Sequence, residues 1–108
     1  MIRETFRVKA VRTFPTEGAV EPDEAHFTPK ISALLDQADE LYRKALETAP
    51  AGHIELVLLL AHTELDRAEA ERLAASLNLD ITSPGPSKPV VVRRGQRYYC
   101  LWVERLCG

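Results

Sequence analysis

The side chains with the widest chemical range in this chain are three histidines and two cysteines. His62 follows an apolar run, and Asp66 lies four residues on, within one helical turn, where a carboxylate can orient an imidazole for general-base work. No serine or cysteine nucleophile is tied to this pair by a recognisable motif, so His62 also reads simply as a polar residue beside a helix start. A metal centre would have to gather His26, His53, His62, Cys100 and Cys107. Their spacing follows neither C-x-x-C nor H-E-x-x-H. Cys100 and Cys107 are seven apart, which puts them on opposite faces of a strand and argues against a bridge within it. Gly85 and Gly95 are isolated, so no phosphate loop is present. The expectation is a protein without catalytic activity, cofactor or metal.

A different chemistry is suggested by arginine interleaved with aromatic residues. Guanidinium groups contact phosphates, and aromatic rings stack on unpaired bases. The candidates are Arg3, Arg7 and Lys9 near the start, Arg93, Arg94 and Arg97 near the end, and Tyr98 and Trp102 beside them. Tyr98, Tyr99 and Trp102 can equally serve cross-strand packing. The formal net charge of −2 excludes a uniformly basic coat protein. It conceals a segregation, however. Residues 1–14 hold Arg3, Arg7, Lys9 and Arg12 against Glu4, and residues 83–108 hold Lys88, Arg93, Arg94, Arg97 and Arg105 against Glu104. The acids gather in 15–27, with Glu17, Glu21, Asp23 and Glu24, and in 64–82. If the two basic ends share a sheet, its open face is positive and its helical back negative.

These residues need elements to hold them. Residues 2–14 alternate, with Ile2, Phe6, Val8 and Ala10 on one parity and Arg3, Thr5, Arg7 and Lys9 on the other, which predicts a half-buried strand. Residues 15–28 form an acidic loop broken by Pro15, Gly18 and Pro22. Thr28-Pro29 opens a helix whose stripe is Ile31, Leu34, Leu35, Ala38, Leu41, Tyr42, Ala45 and Leu46, with Asp39–Arg43 and Glu40–Lys44 as ion pairs on its wet side. Pro50 and Gly52 stop it. The apolar run 54–60 reads as a central strand, with one long helix over 53–77 as the rival. Thr63 to Asp66 resembles a helix cap, and Leu65, Ala68, Leu73, Ala74 and Leu77 give the second helix its stripe. Residues 88–106 predict a β-hairpin turning on Arg94-Gly95, with Val92 opposite Arg97 and Val91 opposite Tyr98.

The length allows one domain, residues 1–108. The order β-α-β-α-β-β predicts an α+β, two-layer βαβαββ sandwich, with a four-stranded mixed sheet and two helices on one face. A parallel connection between the first two strands would be right-handed. This element order resembles the fold shared by the Alba chromatin proteins and the C-terminal domain of translation initiation factor three, several of which bind nucleic acid. The resemblance is one of topology, and it assigns no residue here.

With two cysteines, no apolar leader and no run near the roughly 20 apolar residues of a membrane span, the expected setting is the cytoplasm, away from membranes. The functional expectation is a small non-catalytic protein that binds RNA or DNA through a basic, aromatic-containing sheet face. The alternative is a protein-interaction module, an adaptor or inhibitor, using the acidic loop or the hairpin edge to hold a protein partner.

Overall fold

A computed structural model of the chain describes residues 4–21, 27–48 and 60–107. The elements are β1 (Glu4–Thr13), α1 (Pro29–Thr48), β2 (Ala61–Leu65), α2 (Arg67–Leu77), β3 (Gly85–Pro86), β4 (Val90–Arg94) and β5 (Arg97–Cys107). Among the described residues the fold is α+β, with two helices and one open sheet of five strands. Every strand pairing is antiparallel: β2 beside β1, β1 beside β5, and both β3 and β4 along the far side of β5.

The period-two pattern of β1 decides which face is inside. Phe6, Val8 and Ala10 are buried, while Thr5, Arg7 and Lys9 stay partly exposed. A slip of one residue would drive Arg7 and Lys9 into the core, so the register is strongly held. Opposite them, Tyr99, Leu101 and Val103 of β5 and Val92 of β4 are buried on the same side. Ile31, Leu34, Leu35 and Ala38 of α1 and Ala70, Leu73 and Leu77 of α2 complete a single apolar cluster with them. Both helices therefore lie on one face, as expected.

The described strands do not form the expected mixed sheet; β1 and β2 run antiparallel. The cause is the first loop. It returns the chain to the end of the sheet where β1 began, since Lys30, at the start of α1, bonds to Glu64 and Glu69. α1 then runs alongside β1 in the same direction, bringing Asp39 to Arg12 near the end of β1. A 20-residue helix covers about 30 Å, so β2 must come back down. Between β1 and α1, Val20 takes a place against β4, accepting from the Arg93 N–H (2.8 Å) and donating to the Val91 carbonyl (2.9 Å).

Three further expectations shift. The run 54–60 lies outside the described residues apart from Leu60, and the strand that is described is Ala61–Leu65, which removes the rival long helix. The helix cap sits three residues later than predicted. Asp66 accepts from the Glu69 N–H (2.8 Å) and Glu69 accepts from the Asp66 N–H (3.2 Å), a reciprocal box that begins α2 at Arg67. Leu65 therefore packs from a strand, and Ala68 is exposed. The hairpin turns on Gly95-Gln96, pairing Arg94 with Arg97 and Val92 with Tyr99. Gly95 has φ +65°, and a two-residue turn with glycine first needs a positive φ there.

The edge beside β5 is broken between Pro86 and Pro89, where proline cannot donate to a ladder. Ser87 restores the pairing. Its N–H donates to the Val103 carbonyl (2.7 Å), and its hydroxyl accepts from the Val103 N–H (3.0 Å).

The cap gives a first prediction. Asp66→Ala removes the acceptor of the Glu69 N–H at the start of α2 and is expected to lower the unfolding free energy by about 1 kcal/mol in urea titration. An unchanged midpoint would mean the box contributes nothing to α2.

Candidate nucleic-acid interface

The open face of the sheet is built from the residues between the buried ones. The register lays them out in rows. Thr13, Tyr98 and Arg93 form one, Val11, Cys100 and Val91 the next, then His62, Lys9 and Trp102, then Glu64, Arg7 and Glu104. Tyr98 and Trp102 therefore project from the same face, four residues apart on β5, or about 13 Å at the rise of a strand. Among the described residues, no helix packs on this face. The parity of β5, which the sequence left open, puts Trp102 outside and Tyr99 inside.

Each described cation of this face has an acidic neighbour. Lys9 Nζ donates to Glu104 Oε1 at 2.9 Å, Arg7 approaches Glu64 at 3.5 Å, and Arg93 meets Glu21 at 2.9 Å. The bond from Lys9 is the main reason the Glu104 carboxyl lies below its ordinary range. Three cations against three acids leave the face near neutral, with Trp102, Cys100, Val11 and Val91 as an apolar band. Burial pushes the Cys100 thiol up, away from the reactive thiolate.

Arg94 and Arg97 are elsewhere. They lie on the helix-covered side, at the hairpin end, where sequence reasoning missed a polar cluster. Asp39 of α1 is its centre. Arg12 (2.9 Å), Arg94 (3.0 Å) and Arg97 (2.9 Å) donate to its carboxylate. The Tyr99 hydroxyl lies 3.0 and 2.9 Å from its two oxygens and accepts from Arg94 Nη2 at 3.1 Å. Arg94 also reaches Asp36 (2.9 Å) and the Ser32 carbonyl (3.4 Å). The Arg12 guanidinium stacks on Tyr42, 4.6 Å from the ring centre. The side chain of Asp39 is only 13% exposed. Burial alone would raise its pKa, but the bonds from Tyr99, Arg97 and Arg12 outweigh that and hold it below the ordinary value.

The pair expected between Asp39 and Arg43 is thus replaced. Arg43 bonds to Glu40 and, at 2.6 Å, to Glu47 along the wet side of α1. One signal could have exposed Asp39: it lies four residues after Leu35, on the flank of the buried stripe.

Of the eight residues singled out, Arg7, Lys9, Arg93, Tyr98 and Trp102 share the open face. Arg94 and Arg97 join Asp39 on the other side, and Arg3 lies outside the described residues. His62 stands exposed on β2 beside Lys9, and the cap residue Asp66 is occupied with Glu69. His26 and His53 lie outside the described residues. Among those described, no three His, Cys, Asp or Glu are placed to hold a metal, and no helix is long and apolar enough to cross a membrane. The hairpin edge of β4 is met by Val20. No protein-family model, no curated protein and no solved structure matches this chain.

Proposed function

We propose that this protein is a non-catalytic binder of single-stranded RNA or DNA, which it holds on the open face of its sheet. The observation that carries the reading is the common projection of Tyr98 and Trp102 between Arg7, Lys9 and Arg93. Stacking supplies most of the affinity. The cations make a few phosphate contacts by exchanging a carboxylate partner for a phosphate. Partly exposed ion pairs of this kind hold together by only about 0–1 kcal/mol, so the exchange is feasible. A near-neutral face provides no long-range steering, and the reading therefore implies modest affinity.

The test is fluorescence anisotropy with short oligouridine and oligothymidine across a salt series. With at most three phosphates engaged, the slope of log K against log salt should be no steeper than about −2. Arg97→Ala should leave binding unchanged, because Arg97 faces α1. No binding at low salt, or loss of binding in Arg97→Ala with the fold intact, contradicts the proposal.

A protein partner is the second reading, and the pairing of each described cation with an acid favours it. Interface centres combine aromatic and aliphatic side chains with a charge-balanced surround. It predicts no oligonucleotide binding at any salt concentration.

A further inference from the structure

The two edges of the sheet are treated differently. At one, Val20 bonds to β4 on both sides of Val92. At the other, no described residue pairs with the outer side of β2; Lys30 Nζ reaches the Glu64 carbonyl at 3.0 Å, which leaves that oxygen a second lone pair. An open edge is a template for another strand. The residues of β2 indicate which strand. Only one antiparallel register pairs all five of its residues with a second copy, and its two-fold axis passes through Thr63. Ala61 then faces the second copy's Leu65, and His62 faces the second copy's Glu64, once on each side of the axis. Sliding by one step in either direction would oppose Glu64 to Glu64 or His62 to His62. An imidazole opposite a carboxylate is favourable across strands, and like groups are not.

We propose that the protein associates as a two-fold dimer by pairing β2 with β2 about Thr63, so that one antiparallel sheet runs through both copies. The axis stands perpendicular to the sheet, which leaves the two open faces on the same side as one extended surface. The proposal does not depend on what that surface binds. The interface is a short strand edge, well below the area of standard stable complexes, so association is weak and depends on concentration.

Sedimentation equilibrium over micromolar to millimolar concentrations tests this, with charge variants of the two exposed positions. Within one chain, His62→Glu places a carboxylate beside Lys9, its neighbour on β1, and should leave the thermal midpoint unchanged or higher. Between chains, it opposes two carboxylates at two symmetric points. The association constant should fall about fivefold or more. Adding Glu64→Lys places a cation beside Arg7 within the chain, yet sets a carboxylate opposite an ammonium between chains, so association should return to the native level or above. The opposite signs within and between chains separate dimer contacts from effects on folding. A native chain that remains monomeric at about 1 mM, a His62→Glu variant that associates as well as native, or a double variant weaker than His62→Glu alone would each overturn the proposal.

Discussion

Replacing Asp39 with alanine is expected to lower the unfolding free energy by about 2–4 kcal/mol, read from urea titration. Three guanidinium groups and the Tyr99 hydroxyl converge on this carboxylate, and without it they are left facing one another. Removing one partner of a buried ion pair costs about 3–5 kcal/mol. That figure is discounted here because Arg97 is more than half exposed and can turn to water. Asp39→Asn keeps a carbonyl acceptor and should lose about half as much. A midpoint unchanged in both variants would mean that α1 docks on the hairpin through its apolar stripe alone.

The same cluster sets a pH dependence. The Asp39 carboxyl is held below its ordinary value of 3.8 in the folded chain. The unfolded chain therefore takes up this proton first as the pH drops. The contribution of Asp39 is fully present above about pH 4 and is lost as pH falls through its lowered folded value. The stability gap between the native chain and Asp39→Asn should accordingly close in acid and remain constant from pH 5 to 8.

The second large effect concerns binding. Trp102→Ala is expected to weaken oligonucleotide affinity by about 1–3 kcal/mol, or 5- to 150-fold, the range for removing one base–aromatic stack. Trp102→Phe should retain most of the affinity. Because Trp102 lies on the open face and its indole N–H has only a 3.5 Å contact with Glu104, the alanine variant should fold with little loss of stability. Equal affinity in the native and alanine proteins would remove stacking from the account.

Alternation in β1, the Thr28-Pro29 start of α1 and the hairpin were legible because each depends on local pattern or turn chemistry. The direction of β2 was not. It follows from where the long loop delivers α1, a property of path that periodicity does not encode. The start of α2 was misplaced by three residues because Thr63 resembles a cap in isolation, whereas Asp66 has the Glu69 partner that completes one. For the candidate site, the alternation predicted a shared face for Arg7 and Lys9. The turn shifts by one residue and the pairing therefore by two, which keeps the parity of β4 and β5, so Arg93 stays outside with Tyr98 while Arg94 and Arg97 stay with the helices. Segmental charge could not separate these arginines, since a run of basic residues on a strand divides equally between its two faces. The i,i+4 pattern on a helix predicts a solvated Asp39 because it does not contain the sheet arginines that compete for that carboxylate.

The most direct measurement is an amide and indole NMR titration of the isotope-labelled chain with a short oligothymidine. The account predicts shifts at the Trp102 indole N–H and at the amides of Arg7, Lys9, Arg93 and Tyr98, with the Asp39, Arg94 and Arg97 signals unmoved. Shifts confined to the Asp39 cluster, or no shifts at millimolar ligand, would contradict it.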